Sequence, residues 1–138
     1  MPTTLIFYDG VCGLCNGFVR FFLRRDPRGR IFFAPLQGET ARAFLAPRGF
    51  DPSDLDTIYV VSDWQSPQER VLSRSRAVLH ALAQLGAGWP FLAGVGAVFP
   101  RSLTDAVYGL VARRRYRTFG RLESCPVPPP HWRQRFLE

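Results

Sequence analysis

Two cysteines three positions apart, Cys12 and Cys15, are the residues of this chain best suited to covalent chemistry. The stretch Tyr8-Asp9-Gly10-Val11-Cys12-Gly13-Leu14-Cys15 places them just after a short apolar run and at the mouth of a segment with helical periodicity. Unbonded amides and the positive dipole end at a helix N-terminus favour an anion, so Cys12 is expected to ionise below the ordinary thiol value of about 8.5. The thiolate is the attacking species. Cys15, one turn inward, is placed to close a local disulfide or to release a mixed disulfide held on Cys12. Two other uses compete: a pair of inert small thiols, or half of a zinc site completed by Cys125 and His131. The zinc set lacks a second closely spaced pair, because Cys125 lies far along the chain in a proline-rich tail.

The elements that must position this pair are readable from periodicity. Leu5 to Tyr8 is a continuous apolar run ended by Asp9-Gly10, the pattern of a strand buried on both faces. From Gly13 the period becomes helical, with Leu14, Phe18, Phe21, Phe22 and Arg25 on one stripe, widened by Val19 and Leu23. Asp26-Pro27-Arg28-Gly29 stops it. Arg30 to Ala34 is a second strand, Gln37 to Ala46 a short helix, and Thr57 to Ser62 a third strand. Glu69 to Arg74 is its hairpin partner, and Ser75 to Leu85 a helix. The order β-α-β-α-β-β-α predicts an α/β fold with a four-stranded mixed sheet whose first βαβ unit is parallel; it is the order of a thioredoxin-like fold, and several other α/β folds share it.

Residues 87–138 form a helical and proline-rich extension of what is expected to be a single domain spanning 1–138. Ser102-Leu103-Thr104-Asp105 is a capping-box pattern opening a helix. Its apolar stripe is Leu103, Val107, Leu110 and Val111, and Arg113 to Arg115 lie near its end, where positive charge complements the dipole. Cys125-Pro126-Val127-Pro128-Pro129-Pro130 is expected to run extended over the surface.

Composition narrows the function classes. The chain has 138 residues, 46% hydrophobic and 21% charged, which excludes global disorder, and three cysteines, which excludes a disulfide-stapled scaffold. All 18 basic residues are arginine, so neither a Schiff-base lysine nor a P-loop lysine exists. The net charge of +7 is scattered, so nucleic-acid binding is not expected, and peripheral membrane contact is a minor alternative. No secretory signal precedes Leu5, and Gly86 to Pro90 splits the uncharged stretch between Arg76 and Arg101 into pieces shorter than the ~20 residues of a membrane span. A cytoplasmic location is expected.

Topology nominates the neighbours of the pair. The first strand and the antiparallel fourth strand end at one edge of the sheet, which brings Arg74 and Ser75 near Cys12. Thr57, opening the third strand, reaches the same edge. Arg74 would stabilise the thiolate or bind a substrate carboxylate, or else be a solvated strand end with Ser75 as a helix cap. Asp9 would relay a proton to or from Cys15 or hydrogen-bond the amides of the cysteine loop, or else hold the tight turn with Gly10. His80 is expected to be a packed histidine in its helix.

Tyr8 to Cys15 resembles the D-x-x-C-x-x-C signature of the DCC family of thiol-disulfide oxidoreductases. The resemblance continues through Arg74-Ser75-Arg76-Ala77-Val78-Leu79, Asp105-Ala106-Val107-Tyr108, Arg115-Tyr116-Arg117, Phe119-Gly120-Arg121 and Cys125-Pro126. It implies a thioredoxin-like fold and thiol-disulfide exchange, and it tips Asp9 toward a site role; it names no substrate. The third strand lacks the proline that thioredoxins place opposite the cysteines, so the surface that docks a peptide substrate is expected to differ. The sequence therefore predicts a protein-disulfide reductase type of enzyme with Cys12, Cys15 and Asp9 as catalytic residues and Arg74, Ser75 and Thr57 around them. It needs no bound cofactor and takes a disulfide-containing protein or a small thiol as partner. A non-catalytic module, docking through residues 89–99 and the arginine-rich helix, is the alternative.

Overall fold

The computed structural model describes residues 4–26, 29–51, 57–85, 88–120 and 135–137. Four strands, β1 (Thr4–Tyr8), β2 (Ile31–Pro35), β3 (Tyr59–Ser62) and β4 (Arg70–Ser73), form one sheet in the order β2-β1-β3-β4. β1 pairs in parallel with β2, while β3 runs antiparallel to both β1 and β4. The helices are α1 (Gly13–Arg25), α2 (Glu39–Leu45), α3 (Arg74–Ala83), α4 (Trp89–Val98) and α5 (Arg101–Phe119). The mixed sheet and the helical extension agree with the thioredoxin-like order expected from the sequence.

Alternation along the central strands feeds two cores. Ile6, Tyr8 and Val60 pack with Val19 and Phe22 of α1 and Ala77 and Ala81 of α3. Leu5, Phe7 and Val61 face the opposite way, onto Ala41 and Leu45 of α2. Every residue of β1 is buried, which is why it reads as an unbroken apolar run. Asp26 ends α1 as its C-cap, and its carboxylate accepts from the Ile31 amide at 2.9 Å, fixing the return into β2. Gly29 takes the left-handed conformation, φ +65°, that this reversal needs.

Several boundaries differ from expectation, each for a local reason. β3 begins at Tyr59 rather than Thr57, because the Ile58 amide donates to the Tyr108 hydroxyl at 2.8 Å and the Ile58 carbonyl accepts from the Arg74 amide at 3.1 Å. The N-cap of α3 is Ser73, not Ser75, whose hydroxyl is bonded elsewhere. The capping box does not form: α5 opens at Arg101, and the Asp105 carboxylate accepts from the Ser75 amide instead. α5 runs on to Phe119, which leaves Arg113 to Arg115 short of its last turn.

The expected apolar stripe of α5 is the larger correction. Leu103, Val107, Leu110 and Val111 remain 44–56% exposed. The face turned inward carries small residues: Ala112 is buried, and a Cβ at Gly109 would meet an Arg74 guanidinium nitrogen at 3.0 Å. Small residues let α5 settle closely on α3 and the edge of β3. Among the described residues no helix is long and apolar enough to cross a membrane. The proline-rich segment 125–130 lies outside the described residues.

Candidate active site

The turn between β1 and α1 is built by side chains. Asp9 is 1% exposed. Its Oδ1 accepts from the Val11 amide at 3.1 Å and from Gln37 Nε2 at 2.7 Å, while Gln37 Oε1 accepts from the Gly10 amide at 3.0 Å. Asn16, on the first turn of α1, donates from Nδ2 to the carbonyls of Gly10 at 2.8 Å and Cys12 at 2.9 Å. The Cys12 amide donates to the Asp9 carbonyl at 3.2 Å. This mesh fixes where α1 starts.

Cys12 is the N-cap of α1, and its Sγ accepts from the Cys15 amide at 3.3 Å. Serine or aspartate usually fills that position; a sulfur there gains from being anionic, because the bond it accepts strengthens with charge. The neighbouring Gly13 amide donates to the carbonyl of Gly120, just past α5, at 3.1 Å. Cys12 has no exposure, whereas Cys15 is half-buried, and the structure describes the dithiol state. The Cys15 thiol is pushed well above its ordinary value, first by its hydrogen bond to Cys12, then by burial and by the negative charge of Cys12. The Asp9 backbone amide opposes this and is outweighed. Negative charge on Cys12 thus opposes ionisation of Cys15.

A cavity of about 560 Å³ opens beside the pair. Leu14, Cys15 and Phe18 of α1 form one wall, Val78 and Leu79 of α3 another, and Tyr108 and Val111 of α5 a third. Of the residues nominated from sequence, Asp9, Cys15, Thr57 and Ser75 all line it. Thr57 and Ser75 are buried. Ser75 Oγ donates to Asp105 Oδ1 and lies 2.9 Å from Thr104 Oγ1. The Ser75 hydroxyl holds the Asp105 carboxyl below the usual carboxylate range, against desolvation, with help from the Ser75 amide, Arg101 and Arg74.

Arg74 reaches the same sheet edge, but its guanidinium lies over the Tyr108 ring, 5.1 Å from the centroid, and against Gly109. Its backbone, at φ +57°, takes a left-handed conformation uncommon for a non-glycine residue. His80 is half-buried in α3, and burial lowers its pKa. Cys125 and His131 lie outside the described residues.

The sequence profile of the DCC1-like thiol-disulfide oxidoreductases matches residues 6–121, from β1 through the end of α5. The chain belongs to the DCC1-like family. Its likeness to two relatives spans most of its length. A Bacillus subtilis (strain 168) protein, described as uncharacterized protein YuxK, is 35% identical over 137 residues, covering 99% of this chain and 96% of its own. The Arabidopsis thaliana DCC family protein At1g52590, chloroplastic, is 34% identical over 123 residues, covering 89% of this chain and 69% of its own. No solved structure matches the chain.

Within this DCC1-like frame, four residues outside the sequence nominations support the site: Gln37, Asn16, Asp105 and Tyr108. Asn16 stands four positions after Cys12, where one helical turn brings side chains together, a signal available in the sequence. Asp105 and Tyr108 share the three-residue spacing of one helix face. Gln37 has no local signal, because its partner Asp9 is 28 residues away.

Proposed function

We propose that this DCC1-like protein is a disulfide reductase in which Cys12 attacks and Cys15 resolves. The supporting observation is the placement of Cys12 Sγ as the N-cap acceptor of α1, beside a Cys15 thiol whose pKa that sulfur raises. Cys12 thiolate attacks one substrate sulfur, and the substrate S–S bond breaks to release one thiol. Cys15 then loses its proton and displaces the second thiol from Cys12. Asp9, which lines the same cavity as Cys15, is the carboxylate assigned to take that proton. Of the pair, Cys15 lines the cavity and Cys12 is buried behind it, so attack by Cys12 on a disulfide held in the cavity requires the turn at the head of α1 to open. Glutathione or another dithiol restores the reduced state, which suits a reducing, cytoplasmic setting.

The alternative of a non-catalytic docking module draws on Phe91, Leu92 and Val98, exposed on α4. Trapping separates the two. With the resolving thiol removed, Cys15→Ser should accumulate covalent mixed disulfides in cell extract, read by non-reducing electrophoresis and mass spectrometry, and Cys12→Ser should not. Absence of any Cys12-dependent adduct, or stoichiometric zinc in the wild type, sinks the reductase reading.

A further inference from the structure

The cavity beside Cys15 carries information about what reaches the pair. Its walls are apolar, and the polar groups among its described lining residues are already engaged. Ser75 and Thr104 bond to each other, Ser75 also bonds to Asp105, and Tyr108 accepts from the Ile58 amide. Asp9 is committed to Val11 and Gln37. No arginine is among the described lining residues, since Arg74 is stacked on Tyr108. A substrate carboxylate entering this space would shed water and gain no counter-charge.

The chain edge at the start of β3 is equally committed. The Ile58 amide and carbonyl are bonded to Tyr108 and Arg74, so an extended polypeptide finds no backbone pair to join there. A volume of about 560 Å³ falls within the range of small-molecule sites. The rim, Phe99, Leu103 and Val107, is itself exposed and apolar.

Resting on the reductase reading, we propose that the cavity between α1, α3 and α5 binds neutral, low-molecular-weight disulfides bearing aromatic or aliphatic groups, and that these are the preferred substrates. The chemistry balances within the pair. Its thiolate attacks one sulfur of RS–SR, RS⁻ departs, and the second cysteine displaces the other RS⁻. The two protons of the dithiol end on two RSH, and the Cys12–Cys15 pair is left as a disulfide, which dithiothreitol reduces for the next turnover.

Two aromatic probes that differ chiefly in charge test this: neutral 4,4′-dithiodipyridine and dianionic 5,5′-dithiobis(2-nitrobenzoate). Rates are taken with the full-length reduced protein in single turnover, and the neutral-to-dianion ratio is divided by the same ratio for free dithiothreitol. The net charge of +7 draws the dianion, so any preference for the neutral probe runs against the protein's field. The expected normalised preference is about tenfold or more. Val107→Glu, at a rim position 56% exposed, should abolish the preference, and Leu103→Glu on the same rim gives an independent variant should the first fail to fold. A wild-type ratio equal to that of dithiothreitol, or a preference that survives both folded rim variants, overturns the proposal. If Cys12→Ser reacts with both probes as fast as wild type, the reductase reading itself fails, an outcome distinct from loss of selectivity.

Discussion

At the scale of single residues, the site depends on the coupling of two cysteines. Cys12 accepts the Cys15 amide, and the Cys15 thiol is raised chiefly by its bond to Cys12. Cys12→Ala removes both that acceptor and its charge. The pKa of Cys15 should then fall, so its alkylation, followed peptide by peptide with mass spectrometry, should begin at lower pH than in the wild type. An unchanged Cys15 profile would mean that burial alone sets it. Asp9 poses the related question of turn versus proton relay. Its carboxylate holds Val11 and Gln37, and Asp9→Ala removes the acceptor of these two part-buried bonds, at a cost of about 1 kcal/mol for each. Asp9→Asn keeps an acceptor oxygen and loses the charge. The expected result is near-native melting for Asp9→Asn with slowed disulfide reduction on the same preparation. Normal turnover in folded Asp9→Asn assigns Asp9 to the turn alone. Both cysteines and Asp9 were legible in the sequence because a strand end, a tight turn and a helix start are local events. Gln37, which clamps that turn from the far end of β2, left no such trace.

At the scale of elements, α5 decides the shape of the site, and this was the least legible part. Periodicity marks Leu103, Val107, Leu110 and Val111 as a face to be buried, yet the helix turns Gly109, Ala112, Tyr108 and Asp105 inward. The driving contacts are polar and close-ranged, and a hydrophobic pattern does not register them. Asp105 ties α5 to the first turn of α3 through Ser75, and its folded pKa is depressed. A carboxyl whose folded value lies below its unfolded value of about 3.9 contributes stability in full above that value and loses it as pH falls through the folded one. The expected outcome is a melting temperature that drops on acidification below about pH 4 in the wild type, with a shallower drop in Asp105→Ala. Parallel slopes for the two proteins would remove Asp105 from the account of acid sensitivity.

At the scale of the whole molecule, the chain end is fastened to the element that carries the cysteines. Arg135 Nη2 meets Asp26 Oδ2 at 2.6 Å across 109 positions of sequence, and its Nε donates to the Ile31 carbonyl at 3.1 Å. Phe136 packs on Phe33 with ring centroids 5.5 Å apart, and the Leu137 amide donates to the Phe33 carbonyl at 2.7 Å. No local pattern foretells so distant a pairing. Both partners are nearly sealed from water, at 10% and 6% side-chain exposure, so removing one leaves the other's charge buried. Arg135→Ala should destabilise the fold by about 3 kcal/mol or more, read as a lower urea midpoint at unchanged slope. Asp26→Ala combined with Arg135→Ala should cost less than the two single losses added together, since no lone charge remains. The pair sits at the C-cap of α1 and Cys12 at its N-cap; thirteen helical residues separate them by about 20 Å. Disulfide reduction per folded molecule should therefore be unaffected by Arg135→Ala at temperatures well below its melting point. A parallel loss of turnover in fully folded Arg135→Ala would show instead that the C-terminal anchor shapes the cysteine end of α1 through the length of the helix.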